Sequence, residues 1–255
     1  MKFAGLLVLI ALSVCSSLAQ TPPPQASAAG YTKLAFDDEF NSPDTISPDG
    51  TGNYNWYATN IYGSPSLSSS GYSVQNGYLE INSDPSGYSW GLATVGPHNT
   101  AQAWQHGYFE ASILFCYYCS QGEGWPSFWS SSIERATGQI PAAASNGEID
   151  FFEYYVGGGF AGYLTTIHQS TNGKGQQNPN NTPTVPAGTN YGDWHTYGCL
   201  WTPDEVRWYF DNNLVETVQT GPNTPYTAVE QEHLFLILGA GRNWPTYVNF
   251  VRVWQ

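Results

Sequence analysis

Three carboxylates, Glu148, Asp150 and Glu153, stand close together in an otherwise apolar run, Glu-Ile-Asp-Phe-Phe-Glu. Along an extended strand successive side chains alternate between faces, so Glu148 and Asp150 share one face and Glu153 falls on the other. A one-residue bulge at Phe151-Phe152 would return Glu153 to its partners. The two glutamate backbones would then lie roughly 13 Å apart, at about 3.3 Å per residue. Side chains leaning toward each other can close that to a carboxyl gap of roughly 5 to 6 Å, the spacing of a retaining double displacement at a glycosidic bond. One glutamate must be ionised to attack and the other protonated to donate, so their environments must separate their pKa values. A third acid between them supplies a like charge and a hydrogen-bond partner. This gives Glu148 as nucleophile, Asp150 as the group that orients and tunes it, and Glu153 as general acid and then base. Spacing alone also allows the two glutamates to exchange roles. The same acids would serve as the solvated face of an edge strand or as oxygen ligands for calcium. Against a solvated face, Ile149, Phe151 and Phe152 leave little polar surface on the rest of the strand.

The elements that position these acids read as strands. Short alternating runs at 108–115, 148–155, 162–168, 206–211, 234–238 and 247–254 are separated by Gly, Pro, Asn and Ser. Asp211-Asn212-Asn213 is a hairpin turn signal. No long 3.6-residue period appears, so the chain is expected to be an all-β sandwich with little helix. Two polar stretches, 130–144 and 170–192, read as long loops at the rim of a site or as inert surface excursions. No repeat or second domain is evident, and 255 residues suffice for one large β domain.

Residues 1–19 have the form of an export signal: basic Met1-Lys2, apolar Leu6 to Val14, and Ser17-Leu18-Ala19 before the cut. The chain is therefore expected to be secreted or periplasmic, with lipid attachment at Cys15 as the lesser alternative. Residues 20–30, with Pro22, Pro23 and Pro24, read as a flexible lead-in to a domain over 31–255. The formal charge of -13 becomes more negative once Lys2 is removed. Such a surface disfavours nucleic acid and strongly sulfated polysaccharides as partners and suits neutral glycans. No membrane span is read in the mature chain, and a monomer is expected. Export leaves Cys116, Cys119 and Cys199, an odd number, all read as structural or incidental.

The segment from Asn146 to Tyr154, Asn-Gly-Glu-Ile-Asp-Phe-Phe-Glu-Tyr, resembles the active-site signature of glycoside hydrolase family 16 in its bulged, laminarinase-like and agarase-like form. Further segments are similar to that family in order: Phe36-Asp-Asp-Glu-Phe-Asn41, Asn76-Gly-Tyr-Leu-Glu-Ile81, Gly107-Tyr-Phe-Glu-Ala111, Gly124-Trp-Pro-Ser-Phe-Trp129, Asp193-Trp-His-Thr-Tyr197, Trp201-Thr-Pro-Asp204 and Val251-Arg-Val-Trp254. The resemblance spans about 34 to 254. It implies a concanavalin A-like jelly roll of two antiparallel sheets with a concave cleft, an endo-acting retaining mechanism, and the roles given above for Glu148, Asp150 and Glu153. The implied substrate is a polysaccharide, β-1,3- or mixed β-1,3/1,4-glucan. A neutral galactan, a bacterial exopolysaccharide, transglycosylation and a non-catalytic lectin on the same sandwich are the alternatives.

The chain holds ten tryptophans and eighteen tyrosines, more than a core of this size needs, and sugars pack their C–H faces on such rings. The resemblance places Trp125 and Trp129 on the cleft wall, Trp244 on a loop near it, and His168 beside the cleaved bond. Trp56 and Trp90 are candidates for distal subsites, whereas Trp201, Trp208 and Trp254 are expected to fill the sandwich and His195 to be structural. The resemblance requires no cofactor for the chemistry. Many members bind a structural calcium through the aspartate of a Val-Asp-Tyr segment. Here that segment is Val248-Asn249-Phe250, and losing the charge weakens any calcium site.

Overall fold

The computed structural model describes residues 20–47, 49–58, 67–82, 91–98, 102–115, 125–140, 145–154, 162–171, 174–177, 183–227, 229–239 and 245–255. The expected export signal, Cys116, Cys119, Trp90 and Trp244 lie outside the described residues. Two short helices are present, α1 (Pro24–Ala28) and α2 (Ile133–Ala136). The first strands are β1 (Leu34–Asp38), β2 (Ile46–Ser47), β3 (Trp56–Tyr57), β4 (Tyr72–Gln75), β5 (Tyr78–Ile81), β6 (Leu92–Ala93), β7 (Gly107–Phe115) and β8 (Ser127–Ser132). They are followed by β9 (Ser145–Glu153), β10 (Leu164–Thr171), β11 (Lys174–Gln177), β12 (His195–Trp201), β13 (Glu205–Phe210), β14 (Asn213–Gln219), β15 (Leu234–Gly239) and β16 (Thr246–Trp254).

The strands form two sheets, as the alternating pattern predicts. One runs β14-β13-β12-β7-β16-β5-β4, with β1 also on β16; the other runs β11-β10-β9-β8-β15-β6-β3-β2. All pairs are antiparallel except β2 with β3. Between the sheets lies one apolar cluster that includes Phe109, Phe151, Phe152, Tyr197, Trp201, Trp208 and Leu236. The β13–β14 hairpin turns on Asp211 (φ 47°) and Asn212 (φ 64°), the two left-handed residues of a type I′ turn, for which Asp and Asn are among the best suited side chains. The chain's ends meet: Leu34 of β1 pairs with Trp254 of β16, and Lys33 and Gln255 exchange both backbone hydrogen bonds at 2.8 Å.

Five sequence expectations need correction. Residues 24–28 are a helix rather than part of a flexible lead-in. Ala26 is fully buried against Tyr108, Leu200, Tyr209 and Trp254 on the outer face of the first sheet, and Gln25 Nε2 donates to the Tyr108 hydroxyl. Proline in the first turn suits a helix start, which the composition of the segment disguises. The 130–144 loop is shorter than expected, because β8 runs to Ser132 and α2 follows, capped by the Ser132 hydroxyl on Arg135 N. The 170–192 loop begins as a hairpin in which β10 continues past His168 to Thr171 and pairs with β11. An edge strand of Lys, Gly and Gln carries no apolar alternation to reveal it. Finally, Trp56 is fully buried between Phe36 and Phe40 and donates its indole N–H to Asp38, so it lines no subsite. Trp201 and Trp208 do fill the space between the sheets, but Trp254 is buried on the outer face of the first sheet.

Candidate active site

The decisive local event is a bulge in β9. On one side Phe128 pairs with Phe152 and Trp129 with Asp150; on the other Leu164 pairs with Glu153 and Thr166 with Asp150. Both neighbours thus skip one residue of β9 between Asp150 and Glu153, where the sequence placed the irregularity. Its cause is apolar: Phe151 stacks on Phe109 at 5.4 Å, and Phe152 packs against Tyr197 at 4.3 Å. Burying two adjacent phenylalanines in the same core requires the extra residue, and the price of a disrupted ladder is offset from behind. The Asp150 carbonyl accepts the indole N–H of Trp208 from the opposite sheet at 2.8 Å. Just before the bulge, the buried Ser130 hydroxyl bonds both the carbonyl and the N–H of Ile149, and the buried Glu232 carboxylate accepts from Gly147 N at 2.8 Å. Gly147 leaves room for that approach, since a Cβ there would meet Val229 Cγ2 at 2.8 Å.

With Ile149, Phe151 and Phe152 in the core, Glu148, Asp150 and Glu153 emerge together on the outer face of the second sheet. His168, cross-strand from Glu148, brings Nε2 to 3.6 Å from Glu148 Oε1 and 3.1 Å from Asp150 Oδ2. The shorter approach is not aligned as a hydrogen bond, and Asp150 Oδ2 is buried without a donor. Trp125, 38% exposed, donates its indole N–H to Glu153 Oε1 at 2.6 Å. Trp129 is cross-strand from Asp150 but partly buried, packed on the cluster of Ala93, Val95, Ile133, Phe235 and Ile237.

All three carboxyls are held above their ordinary range. Burial pushes Glu148 up to about 8, and the Asp150 charge adds to the rise while His168 opposes it. Asp150 is raised well above its usual value by burial and then by the Glu153 charge. Glu153 is raised by burial, against the pull of the Trp125 hydrogen bond and of His168. Crowding and loss of solvent thus favour the protonated form of each acid, the direction that acid–base catalysis by a carboxyl group needs.

The structure therefore gathers Glu148, Asp150, Glu153, His168 and Trp125, with Trp129 alongside. Sequence reasoning missed the supports, Trp208, Ser130 and Glu232. Trp208 gave only a core signal, and nothing in Ser130 or Glu232 marks them as partners of β9. Three other histidines are engaged elsewhere: His195 with Asp211, as a structural residue would be, His106 with Glu230, and His233 with Glu134.

A glycosyl hydrolases family 16 model matches residues 53–249. The chain belongs to glycosyl hydrolases family 16. Among its relatives, the endo-1,3-1,4-beta-glycanase ExsH of Rhizobium meliloti is 28% identical over 179 residues, 66% of this chain and 34% of the relative. The keratan-sulfate endo-1,4-beta-galactosidase of Sphingobacterium multivorum is 26% identical over 250 residues, 88% of this chain and 55% of the relative. The chain thus spans between a third and about half of the length of these relatives. LamAcat from Zobellia galactanivorans superposes with a TM-score of 0.62 at 20% identity, covering 89% of this chain and 99% of that one. A LamA variant from the same organism, solved with laminaritriose and laminaritetraose, gives 0.61 at 20% identity, covering 88% of this chain and all of that one. The two-sheet family 16 jelly roll is the fold these neighbours share.

Proposed function

We propose that this family 16 chain is an exported endo-β-glycanase that cleaves β-1,3- or mixed β-1,3/1,4-glucan by double displacement. The observation that carries the proposal is the β9 bulge, which sets Glu148, Asp150 and Glu153 on one face. A lectin would have no need of three crowded carboxyls with raised pKa values. Glu148 attacks the anomeric carbon as the glycosidic C–O bond breaks, and Glu153 gives its proton to the leaving oxygen. Water then attacks the glycosyl ester, Glu153 takes a proton from it, and Glu148 leaves as carboxylate. Asp150 is deeply buried, with one oxygen lacking a donor, and burial raises its pKa. A proton on Asp150 removes its repulsion of the Glu148 charge, the second cause of the Glu148 rise after burial. Trp125 and Trp129 offer ring faces beside the acids for a sugar to pack on, and His168 a donor at the cleaved bond. Trp244 is assigned to the same wall by resemblance alone.

The glucan assignment draws on the names of the beta-glucanase of Rhodothermus marinus and of the laminarinases of Thermotoga maritima and Rhodothermus marinus. A galactan is the second reading, favoured by the Sphingobacterium galactosidase, which aligns over the larger share of this chain. The acidic surface, -13 in formal charge, favours a neutral polymer in either case. Export rests on the form of residues 1–19. No metal is required by these steps, and no helix among the described residues is long and apolar enough to cross a membrane.

The test is product analysis of the mature chain beside Glu148→Gln on laminarin, mixed-linkage β-glucan, agarose and xyloglucan. Oligosaccharides from a glucan, lost by about 10⁴-fold or more in the variant, establish the reaction and the substrate. Products from agarose alone transfer the reading to a galactan. No product from any polymer, with the protein folded, overturns it.

A further inference from the structure

Glu148, Asp150 and His168 also meet the geometric conditions of a small divalent-cation site. Glu148 Oε1, Asp150 Oδ2 and His168 Nε2 all lie within 4.8 Å of one another. The two separations from the imidazole are 3.6 and 3.1 Å. Four ligands placed tetrahedrally at about 2.0 Å from a zinc ion stand about 3.3 Å apart, so these two spacings bracket the zinc value, and the two carboxylate ligand atoms lie within 4.8 Å of each other. Independently, Asp150 Oδ2 is buried at the inner end of the cluster with no hydrogen-bond donor, an oxygen in want of positive charge. Two carboxylates and one neutral imidazole suit a borderline ion such as zinc. Magnesium and calcium require six or more oxygens, and this cluster does not supply them.

We propose that this face binds one Zn²⁺ per chain through Glu148, Asp150 and His168, and that the ion shuts the site reversibly. Bound zinc would occupy the Glu148 oxygen that attacks the sugar. The binding stands on the geometry alone; the inhibition rests on the hydrolase reading.

The test is thermal unfolding and calorimetric titration of the full mature chain with zinc chloride, with magnesium chloride as control, in a buffer that does not chelate. At about 100 times its Kd, zinc is expected to raise Tm by about 5 °C or more, with one ion per chain and no response to magnesium. Glu148→Gln and His168→Ala should each abolish the shift. His233→Ala should keep it, because that imidazole pairs with Glu134 outside the cluster. No zinc shift in the wild type overturns the proposal, as does a shift that survives in both site variants or disappears in that control. In parallel, zinc should raise KM on the substrate polymer without lowering kcat, and EDTA should restore it. Zinc binding without turnover on any polymer would sink the hydrolase reading and leave this site standing; turnover without zinc binding does the reverse.

Discussion

At the residue scale, environment sets what each carboxyl can do, and two substitutions expose it. Glu148 has its folded pKa raised from an ordinary 4.5 to about 8 by burial, then by Asp150. An acid raised by folding contributes stability that is fully present below about pH 4.5 and is lost as pH rises through about 8. Glu148→Gln should therefore match the wild type in Tm near pH 4 and exceed it near pH 9, in parallel thermal melts across that range. Trp125 donates to Glu153 and so favours its ionised form. Trp125→Phe removes that donor, raises the Glu153 pKa and should move the alkaline limb of the kcat/KM profile to higher pH. An unmoved limb would separate Trp125 from proton donation. The three acids were legible because carboxylates in an apolar run demand an explanation. Trp56 was misread for the opposite reason: an indole suits sugar and core equally, and its partner Asp38 is distant in sequence.

At the element scale, the bulge is the feature that strand alternation by itself demands. Two phenylalanines must face inward while acids on either side face outward, and only an added residue permits both. What holds the bulge was not legible, since Trp208 reaches it from the other sheet. Trp208→Phe keeps most of the apolar contact and orphans the buried Asp150 carbonyl. It should cost about 1–3 kcal/mol in denaturant unfolding and lower kcat more than it raises KM, because the acids lose register while outer sugar contacts remain. The β10–β11 hairpin escaped sequence reading because Lys174, Gly175, Gln176 and Gln177 carry no inward apolar face.

At the scale of the molecule, apolar surface is covered in three places: between the sheets, under α1, and around Trp129 beside the acids. The first was legible as alternation; the second was hidden in a proline-rich segment that seemed free. Ala26→Asp would put a charge against Tyr108 and Trp254 and should cost about 2 kcal/mol or more, read as a lower Tm with unchanged kcat. On the face where family members hold calcium, Asn249 is the exposed residue of a bulge in β16. Asp37 and Glu39 nearby are engaged by Arg252, at 3.4 and 2.5 Å. That arginine supplies the positive charge a cation would bring, so EDTA should leave Tm and initial rate unchanged. A fall in initial rate, or a fall in Tm that persists in His168→Ala, would place a structural metal in the chain.

The pairing of Leu34 with Trp254 carries a consequence in time. Strand β1 can find its partner only after β16 has been made, so loop closure across nearly the whole domain precedes the final edge of the sheet. Such non-local topology folds in milliseconds to seconds rather than microseconds. A nascent chain of this design therefore cannot seal the first sheet along β1 until β16 has been synthesised, roughly two hundred residues after the strand that waits for it.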